Sequence, residues 1–324
     1  MNGLTLITGG AGCLGAPVAH ELLAKGGRVR VLDTLIHGQQ EVAADLARRG
    51  VEVVRGDLRD ELARAAALVD VAAVVHLAAV VGDRACAGDP ELAREVNVEA
   101  SRALIDEGRR AGAKRFVFAS TCSSYGRTAD STPVDERDEP RPASLYAEQK
   151  VEIERLLLDD EPHSMSPTPL RFAEIYGAAP RMRFDLTVNG LTRDLWGDRE
   201  VEVLGERCWR PYVHVRDAAR AVRIVLEAPA ERVSGQVFNV GRSDENYRAA
   251  DLVAAIGARV GRGRVKYLHD DEDQHGYKVS FDKVRAALDF EPWMTVPDGV
   301  TELAAALDAR AFGDPYDGRY GNTD

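Results

Sequence analysis

Tyr146 and Lys150 stand four residues apart in SLYAEQKVEIERLLL, a stretch with helical apolar spacing, so the two side chains share one face. A phenol normally releases its proton at about pH 10. A nearby ammonium favours the phenolate, and a phenolate can take the proton of a substrate hydroxyl. The same spacing is common on solvent faces, so the pair gains meaning only in company. The segment ASTCSSYG, Ala119 to Gly126, supplies it, placing Ser120, Thr121, Ser123 and Ser124 at the end of an apolar, strand-like run. A hydroxyl there could bond the reacting oxygen, while others of the four bond backbone.

A second chemistry is written near the start. TLITGGAGCLGA, Thr5 to Ala16, carries four glycines within seven residues directly behind an apolar run. Gly10, Gly12 and Gly15 satisfy GxGxxG, and Gly9, Gly12 and Gly15 the wider GxxGxxG spacing. Glycines permit a tight turn, let a pyrophosphate approach the backbone amides and let a helix pack close to a strand. The helix start then favours the anion. RVRVLD ends in Asp33 about twenty residues on, where a carboxylate bonds the adenosine ribose hydroxyls and repels the extra phosphate of NADP. NAD is therefore the expected cofactor. Asp57 of RGDLRD would reach adenine, although alone it reads as a helix cap. HLAA, His76 to Ala79, closes another strand with small residues that leave room for a cofactor; His76 by itself reads as a core histidine.

These residues need a scaffold, and the pattern supplies one. Through Phe172, near-continuous apolar strands alternate with helices, including one expected over Pro90 to Ala111 and one over Leu145 to Leu158. That alternation specifies an α/β, doubly wound parallel sheet of Rossmann type, with ligands at the carboxyl ends of the strands. The expected division is a cofactor domain over 1–172 and a smaller C-terminal α/β substrate domain over 173–324, with 212–242 returning to the first. The basic RMRF lies just past the break, and the tail YDGRYGNTD reads as loosely held.

At 324 residues the chain can bury a large core, and its net charge of −11 disfavours nucleic acid and anionic membrane surfaces as partners. The four cysteines, Cys13, Cys86, Cys122 and Cys208, fit neither a zinc site nor a disulfide framework. No metal is expected. No signal-peptide pattern or apolar run of membrane-spanning length stands out, so the expected location is cytoplasmic.

Together, TGGAGCLG, Asp33, GDL, HLAA, ASTCSSYG, YAEQK, LRFAEIYG, RPYVHVRDAARA and FNVG resemble, in order, the extended short-chain dehydrogenases/reductases, and among them the NAD-dependent epimerase/dehydratase group acting on sugar nucleotides. The resemblance implies tightly held NAD, contacted by Gly9, Gly12, Cys13, Leu14, Gly15, Asp33, Asp57, Leu58, Leu77, Ala78, Ala79, Tyr146 and Lys150, with Asn97 supporting the nicotinamide end. It implies Thr121, Tyr146 and Lys150 as the catalytic set. For the substrate it implies Thr121, Ser123, Asn189 and Arg210, the last on the nucleotide diphosphate. His275 stands nearest a place where relatives often carry an Arg, with Lys278 as the other candidate. Relatives often dimerise through a four-helix bundle, here built from the Pro90 helix and the helix bearing Tyr146, Val151, Ile153, Leu156 and Leu157.

Departures narrow the chemistry. Relatives that eliminate water carry an Asp-Glu pair after the catalytic Thr, and decarboxylating relatives usually a Glu; this chain has Cys122 and Ser123. The favoured reading is an NAD-dependent epimerase of a nucleoside-diphosphate sugar, most readily at C4. The alternatives are an NAD(P)H-dependent nucleotide-sugar ketoreductase of a deoxysugar pathway and a non-enzymatic dinucleotide sensor. An intact Tyr–Lys pair and glycine turn disfavour the sensor.

Overall fold

The computed structural model describes residues 3–127, 132–159, 165–261, 263–268 and 276–322. Six strands of the first half, β1 (Leu4–Thr8), β2 (Arg28–Asp33), β3 (Glu52–Arg55), β4 (Val71–His76), β5 (Arg115–Thr121) and β6 (Ser166–Phe172), stand in the order 6-5-4-1-2-3, all parallel. Their side chains alternate between two buried faces. Ile7, Val31, Val75 and Val117 meet one apolar layer, which includes Val18 and Leu22 of the helix Gly15–Ala24. Leu6, Leu32, Val74, Phe116 and Phe118 meet the other, with Leu104, Ile105, Ile153 and Leu157. A sheet covered on both faces needs apolar residues at both parities, which is why these strands read as continuous apolar runs.

Past β6 the chain forms β7 (Glu174–Tyr176), β8 (Glu200–Leu204), β9 (Trp209–His214), β10 (Phe238–Val240), β11 (Asn246–Arg248) and β12 (Arg264–Leu268). β10 returns to the large sheet as a seventh parallel strand beside β6. The helix Val215–Glu227 packs against the first-half helix Gly15–Ala24, sealed by an Arg223–Glu21 ion pair of 2.7 Å. The other strands make small sheets, β11-β9-β7 and β12-β8, around a separate apolar cluster. There the helices Thr187–Trp196, Ala249–Val260 and Val296–Asp308 contribute Val188, Ile256 and Val300.

Three features differ from the sequence reading. The long helix from Pro90 is α-helical over Pro90–Arg94 and Ala100–Arg110 but widens to a π turn over Glu95–Glu99, and such bulges gather at functional sites. The short helix Asp83–Gly88 has too few residues to show a period. The tail is docked: Phe184 N donates to Tyr320 O at 2.8 Å, and the rings of Phe184, Phe312 and Tyr320 stack edge to face. Of the expected dimer residues, Val151, Ile153 and Leu157 are buried within the chain itself. Among the described residues, no helix is long and apolar enough to cross a membrane.

Candidate active site

A cavity of about 460 Å³ opens at the carboxyl ends of β1, β2, β4 and β5, and extends to the segment following β6. Its floor is the glycine turn, where Gly9, Gly12, Cys13, Leu14 and Gly15 all reach the cavity. Gly9 has φ +69°, and a Cβ there would sit 2.9 Å from Ala78 N. A Cβ on Gly15 would meet Gly9 O at 2.2 Å. The helix Gly15–Ala24 starts without a side-chain cap; Ala16 N and Val18 N already bond Gly12 O and Leu14 O and Pro17 has no N–H, so an anion there would be met by the amides of the turn just before them.

Asp33, at the end of β2, is buried and holds the turn in shape: its carboxylate accepts from Ala11 N at 3.0 Å and Leu35 N at 2.9 Å. It reaches the same cavity, as do Leu77, Ala78 and Ala79 after β4. Asp57 and Leu58 also line it, but Asp57 is bonded to the Arg59 guanidinium, which holds its carboxyl below the usual range. His76 does not enter. It is buried between Thr8 Oγ1 at 2.7 Å and Ser101 Oγ at 2.8 Å, and burial pushes its pKa down to about 3, so it is neutral. This cradle fits NAD: backbone N–H groups that a Cβ would block, a carboxylate for ribose, and small residues where a ring must lie.

Thr121, Tyr146 and Lys150 line the far part of this cavity. Ser144 caps the helix Leu145–Leu158 through Ala147 N and donates to Asp83 Oδ1 at 2.6 Å, fixing the first turn and with it Tyr146. Lys150 is buried, donates to Ala119 O at 2.8 Å, and lies 5.6 Å from the Tyr146 ring centre. Burial pushes the Lys150 ammonium down to about 8. Burial also raises the Tyr146 phenol above its ordinary value, and the cation that opposes this is Arg183. The expectation from sequence is that the Lys150 ammonium and the charge of oxidised nicotinamide favour the phenolate; in the protein without cofactor, burial outweighs the opposing charge of Arg183.

Of the four hydroxyls, Ser120 is spent on Glu154, which is itself paired with Arg171 at 2.6 Å inside the core. Thr121 Oγ1 lies 2.8 Å from Ser123 Oγ. Ser123 stands behind Thr121 and is not part of the cavity lining. Cys122 is a buried thiol that donates to Arg171 O, and burial raises its pKa well above the ordinary value.

Three other expected contacts are placed differently. Asn97, on the π turn, is buried and braces the wall, accepting from Val80 N at 2.8 Å and donating to Val80 O and Gln149 Oε1. Asn189 is fully buried and straps two loops, accepting from Gly177 N at 2.8 Å and donating to Arg183 O at 2.9 Å. Neither reaches the cavity lining, because each amide is saturated by groups of the protein itself. Arg210 stands one layer back: it donates to Trp209 O and faces Glu174 at 3.5 Å. His275 lies outside the described residues.

Glu174, Arg181 and Arg183 line the cavity although no role was assigned to them from sequence. Burial raises the Glu174 carboxyl above its usual value. RMRF was legible as a basic cluster, but nothing in its spacing says which way it faces. Among the described residues, no three His, Cys, Asp or Glu gather as metal ligands.

Comparison with known proteins agrees with this geometry. Residues 5–241 match the model of the NAD dependent epimerase/dehydratase family. The UDP-glucose 4-epimerase of Streptomyces lividans is 30% identical over 240 residues, covering 68% of this chain and 70% of that protein. The UDP-glucose 4-epimerase of Thermus thermophilus, solved in complex with NAD, superposes with a TM-score of 0.81 at 26% identity, covering 94% of this chain and 99% of that one. The Thermotoga maritima enzyme of the same name, solved with UDP-glucose, gives 0.84 at 25% identity over 95% and 99%. From the glycine turn through β10, with NAD as its cofactor, this chain belongs to the NAD dependent epimerase/dehydratase family.

Proposed function

We propose that this enzyme is an NAD-dependent epimerase of a nucleoside-diphosphate sugar, inverting C4 through a transient keto sugar. One observation carries the reading: Thr121, Tyr146 and Lys150 share a single cavity with the glycine turn and Asp33. The glycine turn and Asp33 would hold NAD, which when bound would supply a reversible hydride acceptor for C4. Tyr146 takes the hydroxyl proton as the C–H bond breaks, leaving a C4 carbonyl. Thr121 bonds the reacting oxygen and keeps it within reach of the phenol. Lys150, anchored on Ala119 O, supports the phenolate by its charge. When the carbonyl presents its other face, Tyr146 gives the proton back to the alkoxide oxygen, and the sugar leaves inverted with no net redox change.

Cys122 and Ser123 follow Thr121 where dehydrating relatives carry a pair of acids, which supports epimerisation over dehydration. Cys122 is buried on the sheet side and Ser123 faces Thr121, so neither replaces a C5 or C6 acid–base pair. The UDP-sugar relatives support a nucleoside-diphosphate sugar as substrate, and Arg210 is the diphosphate contact we assign, reached once Glu174 yields it. The test is to denature the purified protein and identify the nucleotide released, then incubate fresh enzyme with UDP-, GDP-, dTDP- and CDP-sugars without added cofactor. Released NAD and an isomer of unchanged mass are expected. Reaction only with added NAD(P)H and a keto sugar would overturn the proposal.

A further inference from the structure

Behind the reacting groups lies a buried carboxylate that the mechanism above does not use. Glu154 follows Lys150 by one helical turn on Leu145–Leu158, and both side chains are buried. Each of them holds one of two consecutive residues of β5. Lys150 donates to Ala119 O at 2.8 Å, and Ser120 Oγ donates to Glu154 Oε1. The next residue of the strand is Thr121. Ser120 is in register with Arg171 of β6, and the Arg171 guanidinium donates to both oxygens of Glu154, at 2.6 Å to Oε2. One carboxylate thus joins the helix bearing Tyr146 to β5 and β6. Glu154 is not part of the cavity lining, so it can act on the reaction only through its neighbours.

A buried ion pair is a poor device for stability, because desolvating both charges can cost as much as their attraction returns. The position of this one gives it a second use. Burial pushes the Lys150 ammonium down to about 8. Cys86 of the helix Asp83–Gly88 would oppose that fall as a thiolate, but burial raises its own pKa and keeps it a thiol. Burial likewise raises Tyr146, and His76 of β4 is neutral. Among the described residues, Glu154 is then the one negative charge that faces Lys150 at neutral pH. Without it the ammonium would be lost at lower pH, and its support for the phenolate with it.

We infer that Glu154 is a positioning residue of the reaction: it ties the ends of β5 and β6 to the helix of Tyr146, which fixes Thr121 relative to Lys150, and its charge keeps Lys150 an ammonium. Glutamine would keep the shape of this node and lose its charge. Aspartate would keep the charge at a shorter reach. The inference rests on the roles given above to Thr121, Tyr146 and Lys150, and not on which sugar is bound.

The test follows the Lys150 titration through the NMR shift of its ε-carbon in the lysine-labelled full chain, assigned with Lys150→Met, beside the pH profile of kcat for UDP-glucose. The natural protein should titrate at about 8. Glu154→Gln should bring that down by about one unit and lower kcat at pH 8 by about fivefold, in step with the ammonium lost, with KM changed by less than about twofold. Glu154→Asp should restore the Lys150 titration, which a merely structural role would not require. Ser120→Ala removes only the tie to β5; it should lower kcat by about tenfold at every pH without moving Lys150, and it carries the test if the Gln variant does not fold. A Lys150 titration unmoved in Glu154→Gln would overturn the inference, as would full kcat in Ser120→Ala. A shifted Lys150 in a protein that turns over no sugar nucleotide would support the charge role and count against the epimerase reading, so the two fail separately.

Discussion

The two walls of the cavity are built by different rules. On the wall from β1, β2, β4 and β5, each functional group sits at the end of a parallel strand, where sheet register sets its position. Gly9, Asp33, Ala78 and Thr121 lie at the ends of their strands or follow them by no more than two residues. On the wall after β6, groups are set by side chains that strap one loop to another: Asn189 on Gly177 and Arg183, Asp185 on Asn322, Arg181 on Gly321. The first wall holds a cofactor common to a whole family, and a rigid sheet suits a fixed ligand. The second is made of loops, which change without disturbing the sheet.

That contrast can be broken by substitution. The largest effect is expected on the first wall. Gly15→Val puts side-chain atoms where Gly9 O already stands, within 2.2 Å of a Cβ. Bound NAD should be lost from the purified protein, and stability should fall by about 1–3 kcal/mol in denaturant unfolding. Tyr146→Phe removes the proton acceptor and leaves the cradle, so turnover should drop by about 10²–10⁴-fold while NAD stays bound. Near-normal turnover in that variant would remove Tyr146 from the mechanism.

The second wall should respond in another way. Asn189→Ala leaves the bonded Gly177 N–H and Arg183 carbonyl without their partner, at a cost of about 1–3 kcal/mol. Lower stability with little change in KM would fit a strap. A large KM change at unchanged stability would restore Asn189 as a substrate contact.

The last expected effect concerns acid, and it comes from His76, at the end of β4 behind the first wall. His76 binds a proton near 6.5 when unfolded but not until about 3 when folded. Between those values the unfolded chain holds more protons, so stability falls as pH drops through this window, by up to about 1.4 kcal/mol per pH unit. Unfolding at pH 7, 6 and 5 should show a shallower slope in His76→Gln than in the natural protein. Equal slopes would mean that carboxylates alone carry the acid sensitivity.

The same contrast explains what was legible beforehand. Asp33 could be placed from sequence because a strand of known rise follows a helix of known length, and the glycines mark where both begin. Tyr146 and Lys150 share a face by helical period alone. Nothing comparable applies past Phe172. Asn189 has the right residue type, but its amide is consumed by backbone that only the fold brings near. Arg210 lies in β9, yet Glu174, far earlier in the chain, stands beside it. The tail looks loose because its polar residues hide the packing of Tyr320 against Phe184 and Phe312. The π turn at Asn97 likewise leaves no periodic trace, since five residues are too few to show a period of their own.

The central claim is that hydride leaves and returns to one carbon inside one cavity. The direct measurement is to give the purified enzyme, without added cofactor, a UDP-hexose carrying deuterium at C4 and to follow the label. The account predicts an inverted C4 isomer that retains the deuterium at C4, with no exchange from solvent and no net reduced cofactor. Deuterium lost to solvent, or a keto sugar accumulating with reduced cofactor, would contradict it.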